Sequence, residues 1–203
     1  TLDRPLNGES VRGEIDAARR FDLTQQHTGQ HLLSQSFFAL FKAETISVHM
    51  TETNCTLDLP RHMSEQQQAE AEELANRIVQ ENRPVVAEFV NDEALARMPL
   101  RKPPAAKHEK IRIVEIKDFD WSPCGGTHVR STGEVGLIKV IRAEKRGSEQ
   151  RIEFNCGMRA LRDYRAKNES VVTLSALFGI KDSDLTATVL RLADESKETR
   201  RAL

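Results

Sequence analysis

The stretch that decides the fold is residues 111–157, "IRIVEIKDFDWSPCGGTHVRSTGEVGLIKVIRAEKRGSEQRIEFNCG". Apolar and β-branched residues are concentrated in three runs, at 111–116, 135–145 and 151–157, and Gly147 marks a turn between the last two. Strands joined by a short turn pair with antiparallel neighbours. This order of strand, loop, strand, turn and strand therefore predicts an antiparallel sheet.

Helical patterns and further strands flank this run. Residues 24–42 carry apolar side chains at helical spacing behind a candidate N-cap at Thr24. Residues 64–82 begin with the capping-box pair Ser64 and Gln67. Other elements are strands at 46–50, 55–59 and 85–90, a short helix capped by Asn91 or Asp92, and two helical patterns after residue 157 separated by Gly179. Helices segregated from antiparallel strands predict an α+β fold with the helices packed on the sheet.

Composition and charge exclude several classes of protein. The chain has 203 residues, 38% of them hydrophobic, and a net charge of −1. No apolar run approaches the roughly 18–20 residues that span a membrane, and the first ten residues lack a leader pattern. The three cysteines are too widely spaced for a disulfide framework, which favours a cytoplasmic location.

Binding to a polyanion would need local basic clusters, because the net charge is close to zero. Two such clusters are present, one in a proline-rich loop and one on the predicted strand 135–145 and its turn. Their members are Arg101, Lys102, Lys107 and Lys110 in the loop, and Lys139, Arg142, Lys145 and Arg146 on the strand.

His27 and His31 lie four positions apart in "HTGQH", inside the predicted helix 24–42. Side chains at i and i+4 leave the same face of a helix, so both imidazoles can share one metal ion. Thr28 stands where a zincin helix has its glutamate, so this helix carries no general base. Two histidines at this spacing are, by themselves, more often exposed or capping residues.

The stretch "CGGTH" sets Cys124 four positions before His128, and the two glycines between them permit a tight turn. Alone, such a pair is more often a buried cysteine near a surface histidine, and a cysteine nucleophile with a histidine base is a rival interpretation. Beside "HTGQH" it completes one thiolate and three imidazoles, the donors that zinc prefers. The candidate zinc ligands are therefore His27, His31, Cys124 and His128.

At this point four stretches carry a family resemblance: "VRGEIDAARRF", "QQHTGQHLLSQSFF", "CGGTHVRSTGEVGLIKV" and "RIEFNCGMRAL". In this order they resemble the editing domain of alanyl-tRNA synthetases and the long form of the free-standing alanyl-tRNA editing proteins. A more distant similarity links them to the editing domain of threonyl-tRNA synthetase. The resemblance covers residues 1–160 well and residues 161–203 loosely.

The resemblance implies a zinc-dependent aminoacyl-tRNA deacylase of the second-additional-domain fold. It would hydrolyse alanine tRNA mischarged with serine, with glycine as a second candidate, and by the family pattern the four candidate ligands hold the zinc. Polar side chains on the strand after the helix would sense the amino acid, and Thr45, Ser47 and His49 are the candidates. The backbone amides of Gly125, Gly126 and Thr127 are candidate oxyanion donors.

Three alternative roles for the zinc site stay open at this level. One cysteine and three histidines fill a tetrahedron, which is typical of structural zinc sites, so a catalytic zinc would need a fifth ligand or the departure of one of the four. Alternatively, zinc orients the substrate while a ribose hydroxyl or a backbone group activates water. A different class of function is a catalytically silent, zinc-stabilised module that only binds tRNA or a protein.

The family pattern also implies a domain organisation. Residues 1–20 are expected to be the tail of an N-terminal β-barrel domain that includes a strand at 11–15, residues 21–160 the zinc-binding editing domain, and residues 161–203 a helical extension towards a further domain. The expected partner is mischarged alanine tRNA, with no membrane, and a homodimer through the last helix is a further expectation.

Overall fold

The computed structural model describes residue 10, residues 12–101 and residues 110–202. The chain divides into two compact units, Thr1–Gly157 and Met158–Leu203. The helices are α1 (Ala17–Phe41), α2 (Glu65–Gln80), α3 (Asp92–Leu95), α4 (Met158–Phe178) and α5 (Leu185–Ala202). The strands are β1 (Ser47–Met50), β2 (Cys55–Leu59), β3 (Val85–Val90), β4 (Ile111–Ile116), β5 (Asp120–Pro123), β6 (Ile138–Arg146) and β7 (Glu149–Cys156).

The first unit contains a four-stranded sheet in the order β1-β2-β7-β6 and a three-stranded sheet in the order β3-β4-β5. All the strand pairs in the described part of the chain are antiparallel, so the predicted α+β fold with antiparallel sheets is confirmed. The main core lies where α1 and α2 cover the four-stranded sheet, around the fully buried Phe37, Leu57 and Phe154. A smaller cluster of Val90, Ile111 and Ile113 belongs to the three-stranded sheet.

Helix α2 follows the prediction closely. Ser64 is its N-cap, and the Ser64 hydroxyl and the Gln67 amide bond each other's backbone N–H groups as a capping box. At α3 the cap is Asn91, whose side chain accepts from the N–H of Ala94. The sequence therefore located both helix starts correctly.

Helix α1 begins earlier than expected. Its N-cap is Asp16, whose carboxylate accepts a 2.9 Å hydrogen bond from the N–H of Arg19, so the prediction of Thr24 as the cap is wrong. Thr24 is instead buried inside the helix, with its hydroxyl 3.0 Å from that of Thr127. The strand predicted at 11–15 is also wrong, because residues 12–15 form no strand. Residues 1–9 and 11 lie outside the described residues.

Strand β5 was missed by the sequence pattern. It is short and polar, "DWSP", and it pairs with β4 across a turn in which Asp118 has a φ of 55°. Because β5 ends at Pro123, Cys124 lies directly at the end of the three-stranded sheet. This hairpin therefore positions the second half of the predicted metal site.

Helix α1 is joined closely to β7 at the end of that strand. The Gln26 side chain is fully buried and exchanges two hydrogen bonds with the backbone of Cys156, at 3.0 and 2.8 Å. A Cβ atom on Gly29 would lie only 2.2 Å from the Sγ atom of Cys156, so only glycine permits this approach. The helix is thus held against the sheet on both sides of His27.

Among the residues that the structure describes, no helix is both long enough and apolar enough to cross a membrane.

Candidate metal centre

The structure brings together the four side chains that the sequence singled out. His27, His31, Cys124 and His128 each offer one ligand atom, and these atoms all lie within 4.8 Å of one another. The Sγ atom of Cys124 is 3.4 Å from Nε2 of His27 and 3.3 Å from Nε2 of His128. The centroids of the three imidazole rings are 4.3–5.2 Å apart.

These distances suit a tetrahedral zinc ion. Zinc bonds of about 2.3 Å to sulfur and about 2.0–2.1 Å to nitrogen place the two donor atoms about 3.5 Å apart in a tetrahedron. The sulfur–nitrogen separations of 3.3 and 3.4 Å are close to that value. One thiolate and three imidazoles are also donors that favour zinc over magnesium or calcium.

The loop that carries Cys124 and His128 is held by Arg112 of β4. One guanidinium nitrogen of Arg112 donates to the carbonyls of Cys124 and Gly126, at 2.6 and 2.9 Å, and the N–H of Cys124 donates to the carbonyl of Arg112 at 3.1 Å. Sequence reasoning missed this residue, since nothing in "IRIVEI" distinguishes a loop-anchoring arginine from a solvated strand position.

Two of the imidazoles have hydrogen-bond partners on the side away from Cys124. Nδ1 of His31 lies 3.0 Å from a carboxylate oxygen of Asp120, whose side chain is fully buried. Arg101 and Ser122 also donate to that carboxylate. Sequence reasoning missed Asp120, although its place four residues before Cys124 is a usable signal.

His128 is supported by Thr28 in a similar way. Nδ1 of His128 lies 3.1 Å from the Thr28 hydroxyl, which also accepts a 3.1 Å hydrogen bond from the N–H of Val129. Thr28 is fully buried inside "HTGQH". The residue that replaces the glutamate of the zincin pattern therefore orients a ligand from the other half of the centre.

The electrostatics of the cluster favour a thiolate. Burial alone would raise the pKa of the Cys124 thiol, but hydrogen bonds with His128, His27 and His31 outweigh burial and lower this pKa to about 3. Burial lowers the pKa of His128 to about 4, so that imidazole is neutral at pH 7. A thiolate and a neutral imidazole are the forms in which cysteine and histidine bind metal ions.

His31 and Asp120 form a buried pair beside this thiolate. Burial opposes a charge on His31, but hydrogen bonds with Asp120 and Cys124 outweigh it and raise the His31 pKa. Burial would raise the pKa of Asp120, and the bonds to His31 and Arg101 lower it instead. His31 lies between the Cys124 thiolate and the Asp120 carboxylate, and these two negative groups favour a positive charge at its position.

Gly126 is required by the position of His27. A Cβ atom on Gly126 would lie 2.1 Å from Cε1 and 2.5 Å from Nδ1 of the His27 ring, whereas a Cβ on Gly125 would meet nothing within 4 Å. We expect Gly126→Ala to displace the His27 ring and weaken zinc binding several-fold, and Gly125→Ala to leave zinc affinity unchanged. Competition with a chromogenic chelator measures both variants, and equal affinities for the two would contradict this packing role.

The three predicted oxyanion donors are placed unequally. The N–H of Gly126 already donates to the sulfur of Cys124 at 3.4 Å, so this amide serves the thiolate. Gly125 and Thr127 are exposed, and the hydroxyl of Thr127 meets that of Thr24. A catalytic role for these residues stays a prediction.

The three predicted substrate-binding side chains do not converge on one point. The buried Thr45 donates to the hydroxyl of Ser34 on α1 at 2.7 Å. Ser47 instead donates to Asp58 on β2, and His49 is exposed on the same strand as Ser47. Hydrogen bonds from Arg151 and Ser47 lower the pKa of Asp58 to about 2 despite burial, so its carboxylate is ionised. Substrate binding by Thr45, Ser47 and His49 stays a prediction.

Among the described residues, four of the eight predicted tRNA-contacting cations form ion pairs within the protein. Arg101 is buried against Asp120, with only 8% of its side chain exposed, so its assignment as a phosphate contact is wrong. Lys139 pairs with Glu72, and Arg142 pairs with Glu153. Arg146 lies 3.7 Å from Glu144, while Lys102 and Lys107 fall outside the described residues.

Comparison with known proteins agrees with the resemblance predicted from the sequence. The family described as "Threonyl and Alanyl tRNA synthetase second additional domain" matches residues 111–153, which include β4, β5, the loop with Cys124 and His128, and β6. The matched segment thus contains one half of the metal centre.

Similarity to whole proteins extends along nearly the entire chain. The alanyl-tRNA editing protein AlaX-L of Pyrococcus horikoshii is 35% identical over 98% of this chain and 52% of its own length. The alanine–tRNA ligase of Pyrococcus abyssi is 34% identical over 96% of this chain and 22% of its own length. That of Pyrobaculum neutrophilum is 32% identical over 97% of this chain and 23% of its own length. The chain therefore spans about half of the editing protein and about a quarter of each ligase.

Proposed function

We propose, from a chain that resembles alanyl-tRNA editing proteins along nearly its whole length, that this protein hydrolyses mischarged alanine tRNA with the help of one zinc ion. The observation that carries the proposal is the cluster of His27, His31, Cys124 and His128. The substrate would be the ester of serine, or of glycine, with the 3′ end of the tRNA. This substrate choice rests on the family resemblance.

The residues in and around the metal centre would have different roles. His27, His31, Cys124 and His128 would hold zinc, which supplies a positive charge that polarises an ester carbonyl or activates water. Asp120 and Thr28 would keep two imidazoles in the tautomer that presents Nε2 to the metal. Gly125 and Thr127 are exposed in the loop that carries Cys124 and His128, and an aminoacyl end would approach the cluster from this side.

A nucleophilic role for Cys124 is less well supported. Its sulfur lies 3.4 Å from Nε2 of His27 and 3.3 Å from Nε2 of His128, and it accepts from the N–H of Gly126, so three polar groups crowd it. A pKa near 3 also makes the thiolate a weaker nucleophile than one titrating near pH 7. The silent zinc-binding module is favoured by one observation, the four protein donors that suffice for a closed tetrahedron.

A deacylation assay separates these three functions. We expect micromolar protein to release serine or glycine from mischarged alanine tRNA, to lose this activity after treatment with a chelator, and to regain it with added zinc. Activity that survives complete zinc removal, with a trappable acyl-enzyme, would favour the cysteine nucleophile. Stoichiometric zinc without hydrolysis of either ester would favour the silent module. Correctly charged alanine tRNA is the control substrate.

The sequence predicts two partners, a tRNA and a second copy of the chain. tRNA as the substrate follows from the same proposal, because both kinds of relative are named for alanyl-tRNA chemistry. The homodimer through the last helix, α5, stays a prediction from the sequence.

A further inference from the structure

The three histidines of the centre are not held equally. His31 and His128 each have a hydrogen-bond partner on Nδ1, which are the Asp120 carboxylate at 3.0 Å and the Thr28 hydroxyl at 3.1 Å. Among the described residues, none gives the Nδ1 atom of His27 a hydrogen bond. His27 is positioned instead by packing of its ring against Gly126.

The support behind His31 is extensive. The Asp120 side chain is fully buried, and its oxygens also accept from Arg101 at 3.0 Å and from Ser122 at 2.9 Å. Removing the His31 imidazole would leave a buried carboxylate without one of its partners, which costs more than the loss of an exposed contact. Thr28 is likewise fully buried, so removal of the His128 imidazole would take one hydrogen-bond partner from a buried hydroxyl.

No equivalent cost attaches to His27. Its ring is half-buried, and the glycine that it packs against carries no side chain that would lose a bond. If zinc were bound, release of this imidazole would disturb ring contacts with His31 and His128 but would take no hydrogen-bond partner from a fully buried side chain. The other two histidines would have to break an outer hydrogen bond as well, or rotate out of it.

We propose that Asp120 and Thr28 are positioning residues that fix His31 and His128 as permanent ligands, and that His27 is the ligand that yields when the substrate binds. This inference rests on the proposed zinc site. It deepens that proposal by naming how a four-donor centre makes a coordination position available. If His27 left a bound zinc, its imidazole would depart neutral and an oxygen atom of the substrate or of water would take its place, so no oxidant or reductant would be needed.

Zinc affinity and cobalt spectra of a matched pair of variants test the hierarchy. His27→Ala and His31→Ala make the same substitution one turn apart on α1. We expect His31→Ala to weaken zinc binding at least about 10-fold more than His27→Ala does, because it also leaves the buried Asp120 carboxylate without one of its partners. Added imidazole should restore the cobalt absorption spectrum of His27→Ala and leave that of His31→Ala changed.

The positioning role of Asp120 has its own control on the same hairpin. We expect Asp120→Asn to weaken zinc binding by about 10–100-fold. Asp118→Asn should leave affinity unchanged, because Asp118 is exposed and asparagine tolerates its φ of 55°. If His31→Ala or Asp120→Asn fails to fold, the wild-type protein still answers the question. NMR should then find slowly exchanging Nδ1 protons on His31 and His128 and a rapidly exchanging one on His27.

The outcomes separate this inference from the proposed function. A wild-type protein that binds no zinc would contradict the proposed function. A wild-type protein that binds zinc, with equal losses in the two alanine variants or with a protected Nδ1 proton on His27, would overturn only the ligand hierarchy.

Discussion

Replacing Cys124 with alanine is expected to remove zinc binding and tRNA deacylation together. Cys124 contributes the only sulfur in the cluster formed by the described residues, and its thiolate is hydrogen-bonded by all three imidazoles. Its loss removes both a metal ligand and the negative charge that balances the cation. We expect zinc affinity to fall by at least about 100-fold, the upper end of the range for residues that only support a ligand.

The matched control for this variant is Cys55→Ala. Cys55 also carries a thiol and is fully buried, but it lies on β2 and outside the cluster. This control should lower the free energy of unfolding slightly and keep one zinc ion per chain, as measured by metal analysis after gel filtration. Retention of stoichiometric zinc by Cys124→Ala would refute the ligand assignment.

Replacing Gly29 with alanine is expected to destabilise the protein, although alanine is usually the better residue in a helix. An exposed glycine in a helix costs about 0.5–1 kcal/mol relative to alanine, so the substitution would normally stabilise. At this position the new methyl group would lie 2.2 Å from the sulfur of Cys156. We expect a loss of about 1–3 kcal/mol, typical of an overpacked core, in the free energy of unfolding measured with urea.

Removing the Cys156 sulfur in a double variant tests whether its contact with the new methyl group causes the destabilisation. In Gly29→Ala/Cys156→Ala the nearest remaining atoms are Cβ of residue 156 and Cγ1 of Val135, each 3.4 Å from the new methyl group. The double variant should therefore be more stable than the sum of the two single effects predicts, by an interaction energy of about 0.5–3 kcal/mol. Simple additivity would show that the destabilisation of Gly29→Ala comes from elsewhere.

The parts of the fold that the sequence predicted are those with strong local signals. The capping box of Ser64 and Gln67 located α2, and the alternation of "RIEFNC" located β7. The pairing of "HTGQH" with "CGGTH" identified four side chains that the structure brings within 4.8 Å of one another. In each case the residues that define the feature are close in sequence or belong to a recognisable pair of motifs.

The missed parts depend on contacts between distant residues. Thr24 has the residue type of an N-cap, but its hydroxyl meets Thr127, and Asp16 begins the helix. Arg101 has the character of a surface cation within a basic loop, but it is buried against Asp120. A residue type sets which bonds a side chain can form, and only the assembled fold decides which partner is within reach.

The two halves of the centre come from segments that lie far apart along the chain. His27 and Cys124 are separated by 97 positions and meet only when α1 and the β4–β5 hairpin are both in place. A zinc ion held by both would close a loop of that length, and a covalent cross-link over about 100 residues reduces the entropy of the unfolded chain by the equivalent of about 4.7 kcal/mol. During synthesis the centre cannot assemble until His128 has left the ribosome, so metal loading would be a late event that completes folding.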